Sequence, residues 1–386
     1  MINKRLIEKD KYLISWLGKY FVVNEFTLKL IELFDNNDSI SNIAKELKLS
    51  RHKIKSLYKI IENGIKARDF YPDNINLQTP IKLQWKLTKK CNLKCQHCYL
   101  GDLNNYEPSK ELVDKILFEI LKSNIMEVTL SGGECLTSKY VDYISNTLLD
   151  NNIKLTIFTN GILLDKFIDK IDAKYKDRIV INVSVDGLKH SHDVIRGDGT
   201  YNITMKNIQY ATSKGFNITS ATVVNSINYA DIIDMIEALK KIGVKHIQLS
   251  NLILKGRANK DLLISLDKQK AMRQRLMELY LKHPEYGHIY YSEVPDEDGK
   301  RKVFKIENGY GEFIGNDNWK CTAGLARVTI NEDGKVYCCP FLETSYLGDI
   351  NKNSLKEIWD NKKRFEFLNM LIKKNVDRVC IAIKQN

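Results

Sequence analysis

Nothing in this sequence strings together the roughly 18 apolar residues that a membrane-crossing helix needs. The opening stretch, MINKRLIEKDKYLISW, is charged too often to hold the apolar core of a signal peptide. The expectation is a cytoplasmic protein whose thiols stay reduced. A repeat of about 20–50 residues is also missing, which excludes a solenoid. Dense basic clusters are absent as well. The net charge is +12, but the 60 Lys and Arg are scattered among 48 Asp and Glu. A nucleic-acid partner is therefore not expected from charge. Cysteine is absent from 136 to 320. The eight cysteines fall into two groups on either side of that gap: Cys91, Cys95, Cys98 and Cys135, then Cys321, Cys338, Cys339 and Cys380. Grouped cysteines in a reducing compartment point to metal before disulfides.

What is present suggests three segments. Hydrophobic residues make up 43% and charged residues 28%, as in ordinary globular proteins. Residues 1–64 read as a small module. YLISWLG and KYFVVNE have strand composition, and three helical patterns follow, with Ser39 and Ser50 as candidate N-caps. Two strands and three short helices resemble a winged helix. Residues 65–80 are polar, hold two prolines and read as a linker. From 81 to 283 strand and helix patterns alternate. The strands expected are IKLQWKLT, MEVTLSG, IKLTIFT, IVINVSV, NITSATVV and VKHIQLSN. Six βα units in series predict a parallel α/β sheet, open or partly closed into a barrel, with ligands at the carboxyl ends of its strands. From 284 to 386 the alternation is lost. HPEYGHIYYSEVPDEDGKRKVFK reads as irregular, LARVTINEDGKVYCCPF as a hairpin turning at EDG, and SLKEIWDNKKRFEFLNMLIKK as one helix capped by Ser354.

CNLKCQHCYL, from Cys91 to Leu100, follows the first of the six strands. Its spacing is C-x3-C-x2-C. Four thiolates complete a zinc site or an iron–sulfur cluster, so three leave one metal position open. His97 offers a fourth zinc ligand, but between Cys95 and Cys98 it is cramped for a tetrahedron. A cluster is the favoured reading. Other polar groups sit at the same rim. Gly132, Gly133 and Glu134 of TLSGGECL end the second strand, Asn160 of FTNG the third, and Ser184 and Asp186 of VSVDG the fourth. Arg196 follows in HDVIRGDGTY. Taken alone, Asp186 and Arg196 equally suit a surface turn with an ion pair. Collected at one rim, such residues suit a cofactor pocket. Cys135 reads as a small buried residue.

On these motifs the chain resembles the radical S-adenosylmethionine (radical SAM) enzymes, whose signature is C-x3-C-x2-C after the first strand of a partial (β/α)6 barrel. The resemblance implies a 4Fe–4S cluster held by Cys91, Cys95 and Cys98, with S-adenosylmethionine chelating the open iron. It implies that Gly132, Gly133 and Glu134 contact the methionine amine and that Arg196 pairs with the methionine carboxylate. Ser184, Asp186 and Asn160 would lie beside the cofactor. His97 takes a position where a larger aromatic, near adenine, is usual, and Cys135 one where proline is usual.

Cys321, Gly334 and Cys339 resemble the start of SPASM and Twitch domains, which carry auxiliary iron–sulfur clusters. The rest of the SPASM pattern is not present: only Cys380 follows, and Ile383 stands where its C-x2-C partner would fall. One auxiliary cluster on Cys321, Cys339 and Cys380 is expected, with Cys338 a further candidate ligand; buried free thiols beside a hairpin are the plain alternative. Joined to such a core, the N-terminal winged-helix-like module resembles a RiPP recognition element, which binds the leader of a ribosomally made precursor peptide as an added strand. The strand around Tyr20 to Asn24 and the helix from His52 would form that groove. The whole resembles sactipeptide, thioether-forming maturases. That implies hydrogen abstraction from a precursor peptide, with an electron donor such as flavodoxin or ferredoxin as a second partner. Epimerisation, C–C cyclisation and, in another class, an iron–sulfur DNA-binding regulator are the alternatives. The sequence names no catalytic side chain beyond the ligands.

Overall fold

The computed structural model describes residues 3–8, 10–16, 19–67, 77–292, 302–307, 310–315 and 322–373. The N-terminal module has three strands rather than two. β1 (Asn3–Glu8), β2 (Lys11–Trp16) and β3 (Lys19–Val23) form an antiparallel sheet in that order. Helices α1 (Glu25–Asp35), α2 (Ile40–Glu46) and α3 (Arg51–Ala67) pack against it. Each starts on a side-chain cap. Asn24 accepts from the Thr27 amide, Ser39 from Asn42 and Ser50 from Lys53. These bonds satisfy amides that the first helical turn leaves free, worth about 1 kcal/mol each. Ile14, Leu28 and Ile31 fill one small core, and Leu30, Ile43, Ala44 and Ile54 another.

All six expected central strands form: β4 (Lys82–Lys86), β5 (Glu127–Ser131), β6 (Lys154–Thr159), β7 (Ile179–Ser184), β8 (Asn217–Val224) and β9 (His246–Asn251). They run parallel in sequence order. Between them lie α4 (Lys110–Lys122), α5 (Val141–Asp150), α6 (Leu164–Ile168), α7 (Lys189–Arg196), α8 (Thr200–Ser213) and α9 (Ile232–Lys241); α10 (Leu266–Lys282) follows β9. Register explains why the strands alternate. Trp85, Leu130, Ile157, Ile181 and Ile218 form one row across five strands, all essentially buried with Val113 and Ile116 of α4 in one core. Each such side chain contributes about 2 kcal/mol by leaving water. The neighbouring residues turn to the other face, where Gln84, Thr129 and Thr156 form a row of amide and hydroxyl groups and Asn182 pairs with Thr219.

The sheet extends further than the sequence suggests. The stretch 283–305 is not wholly irregular: β10 (Ile289–Ser292) adds parallel to β9, and β11 (Lys302–Glu307) and β12 (Tyr310–Gly315) add beyond it. Ile289 and Tyr291 are fully buried, so a short alternation inside a polar stretch decides the fold there. At the other edge β13 (Arg327–Ile330) pairs parallel with β4, followed by β14 (Lys335–Tyr337) and β15 (Tyr346–Asp349). The β13–β14 hairpin is the one expected, and Gly334 donates to Asn331 O across its turn. The expected final helix is two: α11 (Leu355–Trp359) and α12 (Lys362–Lys373). Asn361 breaks them, because its carboxamide caps the second helix by accepting from Lys363 N. Ser354 caps the first with a capping box.

Two junctions join the parts. Trp359 donates to Leu77 O, and Glu119 of α4 accepts from Leu355 N. At the amino ends of β4 and β5, Tyr20 and Lys82 both donate to Glu127, and Arg5 donates to Thr79 O and Pro80 O. The N-terminal module thus packs at the end of the barrel opposite the Cys91 loop. Among the described residues no helix is long and apolar enough to cross a membrane.

Candidate active site

The Cys91 loop leaves β4 and is fixed first by backbone. Gly133 N donates to Thr88 O and Glu134 N to Lys90 O, both at 2.8 Å. The two chains are so close that a Cβ on Gly132 would stand 2.5 Å from Thr88 O, and one on Gly133 2.3 Å from Lys90 O. The glycine pair is therefore required by the approach of the two loops. Glu134 is buried and engaged: it accepts from Thr159 Oγ1 (2.8 Å), Leu136 N (3.1 Å) and Asn160 N (2.7 Å). Burial raises its pKa against those donors. Asn160 in turn donates to Asn92 Oδ1 at 2.7 Å, tying the tip of β6 to the cysteine loop.

A second knot joins the loop to β7 and α7. Asp186 is wholly buried; Oδ2 accepts from Arg196 Nε (2.6 Å) and contacts His97 Nε2 (2.7 Å), while Oδ1 accepts from Val223 N (2.9 Å). Burial alone would raise its pKa, but Arg196 and His97 outweigh burial and hold the carboxyl well below its usual range. Arg196 Nη1 reaches Cys95 Sγ at 3.8 Å. Ser184, half-buried, closes β7 beside this knot. His192 accepts from Asp186 N through Nδ1, and burial pushes its pKa down to about 4. Cys135 is buried and donates to Phe158 O, a packing role as expected.

The donor set fits an iron–sulfur cluster. Cys91, Cys95 and Cys98 are half-buried on a loop folded back on itself, with Cys98 N donating to Cys95 O. Burial pushes the Cys91 thiol up to about 11 and raises that of Cys95, with Arg196 opposing. Arg196 reaches one of the three sulfurs, so holding all three as thiolates needs further positive charge, which iron would supply. Among the described residues no three ligating side chains converge on a single ion. A single-ion site is not what this chemistry asks for, since each thiolate of a cluster addresses a different iron.

The second group is only partly in view. Cys321 and Cys380 lie outside the described residues. Cys338 and Cys339 are both buried but face different surroundings. Cys338 Sγ packs against Gly324, near Phe367. Cys339 lines a cavity of about 390 Å³ together with Lys86, Tyr99, Gly132 and Lys255. This cavity separates the Cys91 loop from the β13–β14 hairpin. Lys86, nearly buried, donates to Pro340 O, and Lys255 to Phe341 O and Glu343.

Sequence reasoning missed the stretch Lys255–Arg257 after β9, which packs on the cysteine loop: Arg257 N donates to Cys98 O and its Nε to Cys95 O. A Gly-Arg pair at the exit of the sixth strand, the rim that holds every other candidate, was the available signal. Asn92 was missed too; its role depends on a partner 68 residues away.

Comparisons with known proteins agree with this geometry. Residues 85–239 match the radical SAM superfamily, and residues 321–382 match an iron–sulfur cluster-binding domain, SPASM. The chain is 27% identical over 305 residues to the AdoMet-dependent heme synthase of Methanosarcina barkeri (strain Fusaro), spanning 75% of this chain and 84% of that protein. It is 25% identical over 293 residues to the antilisterial bacteriocin subtilosin biosynthesis protein AlbA of Bacillus subtilis, spanning 73% of this chain and 60% of that one. In fold it is similar to Streptococcus suis SuiB, solved bound to its precursor peptide SuiA, with a TM-score of 0.66 at 16% identity, covering 95% of this chain and 89% of that one.

Proposed function

Because this chain belongs to the radical SAM superfamily and carries a SPASM domain behind the barrel, we propose that it is a maturase acting on a ribosomally made precursor peptide, forming a thioether crosslink. Enzymes of this kind use a 4Fe–4S cluster with S-adenosylmethionine and an auxiliary iron–sulfur cluster, and relatives of this chain include peptide maturases. When bound, cluster and S-adenosylmethionine supply a 5′-deoxyadenosyl radical able to remove a hydrogen atom from substrate. Everything else falls to the chain.

Cys91, Cys95 and Cys98 hold the cluster. The Gly132–Gly133 backbone and Arg196 flank the cofactor. Asp186 and Glu134, whose oxygens are engaged by protein donors, keep Arg196, His97 and Asn160 in place rather than meeting ligand alone. Cys339, with Cys321 and Cys380, serves the auxiliary cluster. The inner face of the sheet offers uncharged amides and hydroxyls such as Gln84, Thr129 and Asn182, groups matched to a peptide main chain. Cys339 and the end of the Cys91 loop, at Tyr99 and Leu100, line one cavity, so a peptide entering it would lie between the two regions.

The observation that carries the peptide reading is the N-terminal module. Among the described residues β3 pairs only with β2, leaving an edge that a leader strand can extend. Residues 1–64 are assigned to leader binding, 81–283 to the barrel and 284–386 to the bridging and auxiliary-cluster region. A flavodoxin or ferredoxin would supply the electron. The test is anaerobic incubation of reconstituted protein with S-adenosylmethionine and the precursor peptide encoded beside its gene. A thioether predicts deoxyadenosine together with a peptide lighter by two hydrogens and a blocked cysteine. A lighter peptide with its cysteines free would mean C–C cyclisation. Unchanged mass in ordinary water, with one deuterium gained at a Cα in heavy water, would mean epimerisation.

A further inference from the structure

We infer that Arg257 is a positioning residue for the group held by Cys91, Cys95 and Cys98, fastening the second half of their loop and keeping Nη2 available to donate to that group. The inference rests on the cluster assignment above.

The contacts are concentrated on a single short stretch. Arg257 N donates to Cys98 O (2.9 Å), Nε to Cys95 O (2.9 Å) and Nη1 to Gly101 O (2.6 Å). Three carbonyls of the loop thus end on one residue. Gly256 makes this possible: a Cβ there would stand 2.4 Å from Cys98 O and 2.5 Å from Gly101 N, at a φ of +68°. Lys255, next in line, is tied to Phe341 O and Glu343, so the same stretch also reaches the loop that follows Cys339.

Arginine suits this place because its planar fork addresses several acceptors at once, which an ammonium does not. With Nε and Nη1 spent on the loop, Nη2 remains. It is sealed from water and, among the described residues, has no hydrogen-bond partner. A buried cationic N–H without an acceptor is costly and is normally repaid by one. The group expected next to this loop is anionic: a sulfur of the cluster or the carboxylate of S-adenosylmethionine. Either accepts a charge-assisted hydrogen bond. Arg196 already reaches Cys95 Sγ, so two guanidinium groups would serve the loop.

The test uses the full chain, reconstituted anaerobically, as wild type, Arg257→Lys, Arg257→Gln and Gly256→Ala, with iron and sulfide counted for each. Two quantities are read. One is the midpoint potential, without S-adenosylmethionine, of the signal that the cofactor perturbs. The other is the Kd for S-adenosylmethionine by equilibrium dialysis. If Nη2 serves a cluster sulfur, Arg257→Gln shifts the midpoint to a more negative value, since a lost N–H donor disfavours the reduced cluster. If it serves the carboxylate, the midpoint stays and Kd weakens about tenfold. Arg257→Lys should recover part of either effect. Gly256→Ala should move the same quantity by displacing the same stretch. Should Arg257→Gln lose iron while keeping its melting temperature, the loop-fastening role is supported directly. Full iron content with midpoint and Kd unchanged in all three variants overturns the inference and leaves the cluster assignment standing. A wild-type protein that binds no iron overturns both.

Discussion

The loop of Cys91, Cys95 and Cys98 and the neighbourhood of Cys338 and Cys339 carry the same ligand chemistry but are built differently. The first is a contiguous stretch pinned from several elements: the Gly132–Gly133 turn, Asn160 of the β6 exit, Asp186 and Arg196 around α7, and Arg257 after β9. The second is gathered from distant parts of the chain. Its two adjacent cysteines point to different places, Cys338 to Gly324 and Cys339 to the cavity. Adjacent residues at the end of a strand face opposite sides, so one of the pair is the natural ligand of a site and the other its packing. The lesson is that the first region is held by redundancy, whereas the second depends on which of two neighbours turns inward.

The most drastic way to separate the two regions is cysteine replacement. Cys95→Ala should abolish deoxyadenosine formation, by about a thousandfold or more, because it would remove a proposed ligand of the reactive cluster. Cys339→Ala should keep S-adenosylmethionine cleavage within about tenfold and lose peptide product. Chromatography of deoxyadenosine beside peptide mass spectrometry reads both. Equal loss in the two variants would mean that the regions form one functional unit.

Backbone approach offers the next contrast. Gly133→Ala should cost about 4 kcal/mol, since its Cβ collides with Lys90 O. A comparable change beside the second region meets side chains first: a Cβ on Gly324 would stand nearest Cys338 and Phe367, which can give way, so its cost, about 1–2 kcal/mol, comes mainly from its φ of +70°. Denaturant melts of Gly133→Ala and Gly324→Ala compare them, and a smaller loss for Gly133→Ala would break the distinction.

Asp186→Asn should cost somewhat less, about 3 kcal/mol, by leaving Arg196 buried beside a neutral group. It should also weaken S-adenosylmethionine binding while iron content holds, because the thiolates stay. Dialysis and iron analysis check this.

The mildest effect is one of pH, about 2 kcal/mol at pH 5. His192, with Asp186, Arg196, Asp193, His97 and Tyr201 around it, is held neutral by burial, with a pKa of about 4 against 6.5 in the unfolded chain. Folding excludes its proton, so stability is fully present above pH 6.5 and falls as pH drops through that window. The loss saturates near pH 4 at about 3 kcal/mol. The stretch 322–373 contains no histidine. Hydrogen exchange at pH 5 should therefore speed up in α7 more than in β13–β15, and His192→Gln should flatten the difference.

Much of this was legible in the sequence because it depends on local chemistry. The six parallel strands announced themselves through rows such as Trp85, Leu130 and Ile157, which must all be aliphatic or aromatic to meet the helices. Ser39, Ser50 and Ser354 cap the helices expected of them. The cysteine spacing and the glycine pair were readable for the same reason. What escaped depends on partners far along the chain. The bond of His97 to Asp186 joins residues 89 apart, and that of Arg257 to Cys95 joins residues 162 apart. β10 escaped because its buried pair, Ile289 and Tyr291, is set in a polar stretch. Its stability comes from β9 beside it rather than from its own composition.

The central claim, that the Cys91 loop alone holds the reactive cluster, is tested most directly by electron paramagnetic resonance of the reduced protein with and without S-adenosylmethionine. One signal is expected to change on adding the cofactor. That response should vanish when Cys91, Cys95 and Cys98 are all replaced by alanine and persist when Cys338 and Cys339 are replaced instead. A response that survives the first substitution, or disappears with the second, would contradict the claim.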